Sequence, residues 1–151
     1  MKIVALLICI LLVPISILYA GDSLSVLDAW ILEAPPGMTI MAGYMTIRND
    51  TGDTHYLTGI SSAQFERVEM HRTIYENEQA RMEKQNIMTV EAGETLKFEP
   101  GGSHLMLFNP VKSLKNGHEI DLTLILKNGS TLDITAQIRR HSEMINMKHN
   151  P

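Results

Sequence analysis

The chain has 151 residues, with 13 basic and 17 acidic side chains and a formal net charge of −4. This length suits one domain, and the 44% of apolar residues are enough to build a core. The acidic balance argues against nucleic-acid binding, which needs a basic surface. A single Cys excludes an intramolecular disulfide and any metal site built from several Cys. The ten Met are the unusual feature of the composition.

Residues 1–20 are typical of an export signal. Lys2 precedes an apolar run over 3–18, and Ala20 ends it before the sequence turns polar. We expect cleavage after Ala20; the alternative is retention as a membrane tether, because about 18 apolar residues nearly span a bilayer. Cys9 lies within the run, whereas a lipoprotein signal needs Cys at the cleavage point. The expected product is a thiol-free periplasmic protein with no stable membrane insertion.

Residues 21–140 are predicted to form one domain of short β-strands separated by turn signals. The β-prone stretches are 24–31, 44–47, 56–60, 65–74, 95–98 and the segment around 104–106. Apolar and polar residues then alternate over 120–126 and 132–138 on both sides of Asn128-Gly129, which predicts a hairpin. Strands at a spacing of roughly 8–12 residues indicate an all-β fold, a Greek-key β-sandwich or barrel.

Two pairs of His and Met have spacings that strands can bring together. A turn centred in the polar segment 76–79 predicts that His71 and Met82 are directly opposed in a hairpin, with Cβ atoms about 4.5–5.5 Å apart. His104 and Met106 share a strand face, about 6.6–6.8 Å apart along it. The sequence therefore predicts two imidazole–thioether pairs.

Imidazole and thioether together favour copper. Thioether is soft, neutral and suited to Cu(I), whereas Ca²⁺ and Mg²⁺ need oxygen ligands and structural Zn²⁺ usually takes Cys, His or carboxylate. Neither ligand forms disulfides in an oxidising compartment. The alternative is that the Met residues pack in the core and the His residues make ordinary hydrogen bonds. On spacing alone, a copper site and ordinary packing are equally supported.

The spacing His71, ten residues, Met82, twenty-one residues, His104-x-Met106 resembles that of the periplasmic copper chaperone family called PCuAC, the DUF461 group. The likeness covers roughly residues 23–140 and includes the segments 42–49, 68–71, 100–107, 114–117 and 120–124. It implies a cupredoxin-like β fold, Cu(I) bound by the four residues, and supply of copper to cytochrome c oxidase or its assembly factors. This chain departs from the family in one segment. The residues after the first His are often Met-rich in family members, whereas residues 72–76 of this chain contain no Met.

The C-terminal tail, residues 141–151, contains a second candidate set: His141, Met144, Met147 and His149. The resemblance implies a second copper site here, including one for Cu(II), because some family members have a His/Met-rich extension. The alternative is a flexible, solvated tail whose His and Met have no ligand role.

The remaining residues of these types are expected to be structural. His55 and His118 follow turns and are expected to face solvent. The residues expected to pack are Met38, Met41, Met45, Met70, Met88 and Trp30.

The predicted function is an extracytoplasmic copper chaperone that passes Cu(I) to an acceptor by ligand exchange. Copper storage or detoxification without delivery is an alternative, and a β-sandwich module that binds no metal is another. A blue-copper electron carrier is excluded because its site needs a Cys thiolate. No enzyme activity is expected, since no Ser/His/Asp set, phosphate loop or carboxylate pair can be placed in a pocket.

Overall fold

The computed structural model describes residues 23–77 and 79–142. In this part the chain forms ten β-strands, numbered in chain order. Their bounds are β1 (Leu24–Leu32), β2 (Ile40–Asn49), β3 (His55–Ser61), β4 (Phe65–Glu76), β5 (Gln79–Gln85), β6 (Met88–Val90), β7 (Thr95–Phe98), β8 (Ser103–Pro110), β9 (Glu119–Leu126) and β10 (Thr131–Arg139). Among the same residues, no helix has the length and apolar character needed to cross a bilayer. The expected export signal, 1–20, lies outside the described residues.

The strands are hydrogen-bonded in the order β5-β4-β8-β7-β2-β1-β10-β9-β3-β6, and β8 also pairs with β2. β1 runs parallel to β10 and β7 parallel to β8, while the other pairs are antiparallel. β3 lies near β4 although the two are far apart in this order, so the sheet folds over on itself around one apolar core. The predicted all-β fold is confirmed.

β9 and β10 show the alternation that the sequence predicts. Ile120 and Leu122 are buried, whereas Asp121 between them is exposed. The two strands pair antiparallel around Asn128-Gly129, where Gly129 has a φ of 86°, a left-handed conformation that glycine adopts without steric cost. The predicted hairpin is confirmed.

β1 changes face at a bulge. Its register with β2 shifts between Leu27 and Trp30, and Asp28 has a φ of 45°. Ile31 then enters the main core, while Trp30, one residue before it, points to the other side of the sheet. There the Trp30 ring packs on Tyr44, with ring centroids 4.4 Å apart. Trp30 is buried as expected, but its partner is Tyr44 rather than the main core.

Most of the methionines expected to pack do so. The buried ones are Met41, Met45, Met70 and Met88. The prediction that Met38 packs is wrong, because its side chain is 57% exposed. Met38 lies in the turn before β2, where its amide N–H donates to the carbonyl of Pro35 at 3.0 Å. A residue in such a turn has no strand neighbours to cover it.

Asn49 is a fully buried polar residue at the end of β2. Its Nδ2 donates to the carbonyls of Asp53, Val90 and Glu91 at 2.8, 3.0 and 2.9 Å, and its Oδ1 accepts from the Thr51 amide at 3.0 Å. The sequence indicates only a turn here. The structure shows that the same side chain also ties this turn to the end of β6.

Candidate metal centre

The candidate site lies on β4, β5 and β8, which are neighbours at one end of the sheet order. β4 and β8 pair antiparallel, with His71 directly opposite His104. The adjacent pair, Met70 and Leu105, is buried in the core. Successive strand residues point to opposite faces, so both imidazoles lie on the face that turns away from the core.

His104 is the more enclosed of the two histidines, with 6% of its surface exposed. Its Nδ1 lies 3.1 Å from the carbonyl oxygen of Gly102. A carbonyl oxygen only accepts hydrogen bonds, so Nδ1 carries the proton and donates it. The other ring nitrogen, Nε2, is buried and has no hydrogen-bond partner. His104 therefore presents a free lone pair at Nε2.

His71 has the opposite arrangement. Its Nε2 lies 2.9 Å from Oε2 of Glu69. The hydrogen bond from Lys84, followed by the one from His71, lowers the pKa of Glu69 from 4.5 to about 2, so this carboxylate is ionised at neutral pH. An ionised carboxylate only accepts, which assigns the proton to Nε2 of His71. Its Nδ1 is buried without a partner.

The two rings are stacked, with centroids 6.0 Å apart and planes inclined by 29°. Each contributes one buried nitrogen with an unused lone pair, a condition that costs free energy; in the described part of the chain the one other such side-chain atom is Oγ of Ser25. Metal-binding histidines usually donate their second N–H to a carboxylate or a carbonyl, and both histidines here do so. The pair therefore has the outer hydrogen bonds of a metal-binding pair.

Met106 lies on the same face as the histidines. It is two residues beyond His104 on β8 and directly opposite Glu69 on β4. Its side chain is partly exposed. In the described ranges, no group of three or more His, Cys, Asp or Glu is arranged to hold a metal ion. The candidate site thus combines two imidazoles with thioethers.

The predicted direct opposition of His71 and Met82 is wrong. In the β4–β5 hairpin Met82 is opposite Thr73, and His71 is opposite Lys84. The hairpin turns one residue later than expected, after the pair Glu76 and Gln79, because the loop begins at Asn77, whose φ is 51°. Asn tolerates this left-handed conformation better than Glu does.

This correction leaves Met82 on the histidine face, because moving the turn by one residue shifts the pairing by two. Met82 is now a diagonal neighbour of His71, at a distance of about 7–8 Å, which a long side chain spans. It lies on the edge strand and is 62% exposed. It is the most solvent-accessible of the four predicted ligands.

The tail candidates are only partly within the described residues. His141 is exposed and lines a cleft of about 500 Å³ with Glu33, Lys115 and Arg140 among its walls. None of the four primary candidates lines this cleft. Met144, Met147 and His149 lie outside the described residues.

The two other described histidines have local hydrogen bonds. Nε2 of His55 lies 3.0 Å from Oγ1 of Thr51, and His55 is half-buried rather than solvent-facing. His118 is exposed as expected, and its Nδ1 accepts from the Lys115 amide at 3.3 Å.

Sequence reasoning missed Glu69, Lys84 and Gly102, which surround the two imidazoles. A Glu two residues before a His on one strand shares its face, and this spacing was the signal for Glu69. The roles of Lys84 and Gly102 depend on strand register and on a loop carbonyl, which the sequence pattern does not display.

A family model described as "Putative lipoprotein LpqE-like" matches residues 24–138. "Putative lipoprotein Lxx21020" of Leifsonia xyli subsp. xyli is 31% identical over 123 residues, which are 81% of this chain and 73% of that protein. This chain belongs to the LpqE-like family. A second relative, "Uncharacterized protein RP573" of Rickettsia prowazekii, is 26% identical over 98 residues, 64% of this chain and 54% of that protein.

The LpqE-like chain has the fold of solved PCuAC domains. The copper-bound PCuAC domain from PmoF2 aligns with a TM-score of 0.66 at 22% identity, over 80% of this chain and 94% of that domain. CuI-DR1885 from Deinococcus radiodurans aligns with a TM-score of 0.61 at 27% identity, over 76% of each chain. The resemblance to the PCuAC family and the cupredoxin-like β fold are confirmed.

The hydrogen bonds of the two imidazoles predict their tautomers. In the metal-free LpqE-like protein, we expect the neutral imidazole of His71 to carry its proton on Nε2 and that of His104 to carry it on Nδ1. Nitrogen-15 NMR shifts of the ring nitrogens distinguish the two forms, with exposed His118 as the internal reference. The reverse tautomer at either position would contradict the geometry.

Proposed function

We propose that this chain is an exported copper chaperone that binds Cu(I) through His71, Met82, His104 and Met106. The observation that carries the proposal is the pair of opposed imidazoles, each with one buried nitrogen that has no partner. Two thioethers lie on the same face of the same three strands. The likeness to PCuAC domains, among them copper-bound and CuI-bound ones, supports the metal.

The donor set favours Cu(I) over other biological ions. Two neutral imidazoles and two neutral thioethers supply soft and borderline ligands and add no negative charge. Ca²⁺ and Mg²⁺ require oxygen ligands, and structural Zn²⁺ sites rarely include Met. The only Cys of the chain, Cys9, lies in the expected export signal, so no thiolate is available to the proposed site after cleavage.

The gradient of exposure across the site fits a protein that releases its metal. His104 is 6% exposed on an inner strand, whereas Met82 is 62% exposed on the edge strand. An acceptor meets Met82 first, so ligand exchange begins there while the imidazoles still hold the ion. We propose delivery to a copper-accepting protein such as cytochrome c oxidase or one of its assembly factors. The lipoprotein description of the family supports export, and we propose the periplasm as the compartment.

The ligand assignment predicts that His104→Ala and Met106→Ala weaken Cu(I) binding without unfolding the domain. We expect the His104 variant to lose at least about tenfold in affinity, or roughly 1.4 kcal/mol. Competition with a chromophoric Cu(I) chelator measures the affinity, and circular dichroism checks the fold. Met38→Ala is the matched control, because Met38 is an exposed methionine beside the Pro110 end of β8, the end farther from His104. Unchanged affinity in both ligand variants would refute the assignment.

Delivery and storage predict opposite copper dependence in a strain that lacks the protein. Delivery predicts that growth and oxidase activity fall only when copper is scarce. Storage or detoxification predicts a defect only when copper is in excess. Oxidase activity measured across a copper series separates the two, and a defect confined to high copper would overturn the delivery proposal.

We also propose that His141, Met144, Met147 and His149 form a second, weaker copper site that accepts Cu(II). The tail is short, so its affinity should be lower than that of the primary site. We expect residues 21–151 to bind one more copper than residues 21–140 when the two are titrated under identical conditions. Equal stoichiometry for the two chains would remove the tail from the copper chemistry.

A further inference from the structure

We propose that Glu69 is a positioning residue for the candidate metal site. Its carboxylate, fixed by Arg67 and Lys84, holds the His71 imidazole in the tautomer and orientation that present Nδ1 to the metal. The metal-binding part of this inference rests on the proposed function. The tautomer part depends on the protein alone, and so the two are tested separately.

The carboxylate of Glu69 divides its two oxygens between different partners. Oε1 accepts a hydrogen bond from Nζ of Lys84 at 2.8 Å and forms an ion pair with Nε of Arg67 at 3.0 Å. Oε2 faces Nε2 of His71 at 2.9 Å. Only 14% of the Glu69 side chain is exposed, so water competes weakly for these contacts. Two cations on one oxygen orient the carboxylate and leave the other oxygen to the imidazole.

This orientation decides which nitrogen of His71 is available. A neutral imidazole carries one proton, and the nitrogen that carries it has no lone pair for a metal. Because Oε2 of Glu69 accepts and does not donate, it keeps the proton on Nε2 and leaves Nδ1 free. A carboxylate behind a metal-binding histidine also raises the basicity of the ring, which strengthens the bond to the metal.

The other histidine lacks such a side-chain partner. His104 is held by the backbone carbonyl of Gly102, which no substitution of a side chain removes. The two imidazoles therefore have a charged and a neutral outer partner, and only the charged one is accessible to mutation. A substitution of Glu69 can therefore change the orientation of the His71 imidazole while all four proposed metal ligands stay in place.

Glu69 also connects the three strands of the site. Lys84 belongs to the edge strand β5, two residues from Met82, and its ion pair with Glu69 crosses from β5 to β4. Directly opposite Glu69 on β8 is Met106. The ion pair thus fastens the exposed strand that holds Met82 to the strand that holds His71.

The closing experiment uses Glu69→Gln, Glu69→Ala and the control Glu66→Gln in the full chain. Glu66 is on the same strand, and its carboxylate accepts from Nδ2 of Asn109 at 2.6 Å instead of from an imidazole. Nitrogen-15 NMR of the copper-free proteins reports the His71 tautomer. Competition with a Cu(I) chelator reports affinity, and amide fingerprint spectra confirm that each variant is folded.

Glu69→Gln gives the sharpest expectation. Arg67 and Lys84 attract the amide oxygen, which turns the NH₂ group towards Nε2 of His71 and moves the ring proton to Nδ1. We expect this reversed tautomer and a loss of Cu(I) affinity of about 10–100-fold, the range typical of lost outer partners. Glu69→Ala should give a mixture of tautomers and an intermediate loss, and Glu66→Gln should match the unmodified chain.

Each outcome bears on a separate part of the inference. If His71 keeps its proton on Nε2 in both Glu69 variants, Glu69 does not set the tautomer and the inference is overturned. A changed tautomer with affinity within about twofold of the unmodified chain, a difference of only ~0.4 kcal/mol, would remove Glu69 from metal binding. If the unmodified chain binds no Cu(I), the proposed function fails, while the NMR result still decides the tautomer.

Discussion

The pairing of β4 with β8 is the constraint on which the candidate site depends. One register places Met70 and Leu105 in the core and, because strand residues alternate, turns His71 and His104 to the opposite face. A slip of one residue would bury both imidazoles in the core and expose the apolar pair. The free energy of core burial therefore also fixes the distance between the two imidazoles. No separate interaction is needed to bring them together.

Each imidazole of the candidate site has one hydrogen-bonded ring nitrogen and one ring nitrogen without a partner. Glu69 and the Gly102 carbonyl occupy one nitrogen of each imidazole, while Nδ1 of His71 and Nε2 of His104 have no partner. Among the other described residues, Oγ of Ser25 is the one buried side-chain polar atom without a partner, whereas the buried Asn49 is satisfied by several hydrogen bonds. The contrast is what a preformed metal site requires, because its lone pairs must stay unused until the ion arrives.

The three strands of the site differ in how firmly they are held. β8 is enclosed between β4 and β2, whereas β5 has a strand on one side only and is exposed along most of its length. Ion pairing of Lys84 with Glu69 connects this edge strand to β4. In the proposed site, a metal bound by His104 on the inner strand and by Met82 on the edge strand would be protected on one side and open on the other. That asymmetry suits transfer better than permanent storage.

By itself, the sequence determined the all-β class, the hairpin around Asn128-Gly129 and the types of side chain available to the candidate site, because alternation, turn residues and side-chain type are local properties. Its prediction that His71 opposes Met82 was two residues out, since the position of a two-residue loop depends on which residue accepts a left-handed φ. Only the tertiary structure placed His71 opposite His104 and brought Lys84 into an ion pair with Glu69. Those relations join distant parts of the chain through strand register, and register is decided by which faces the whole core buries.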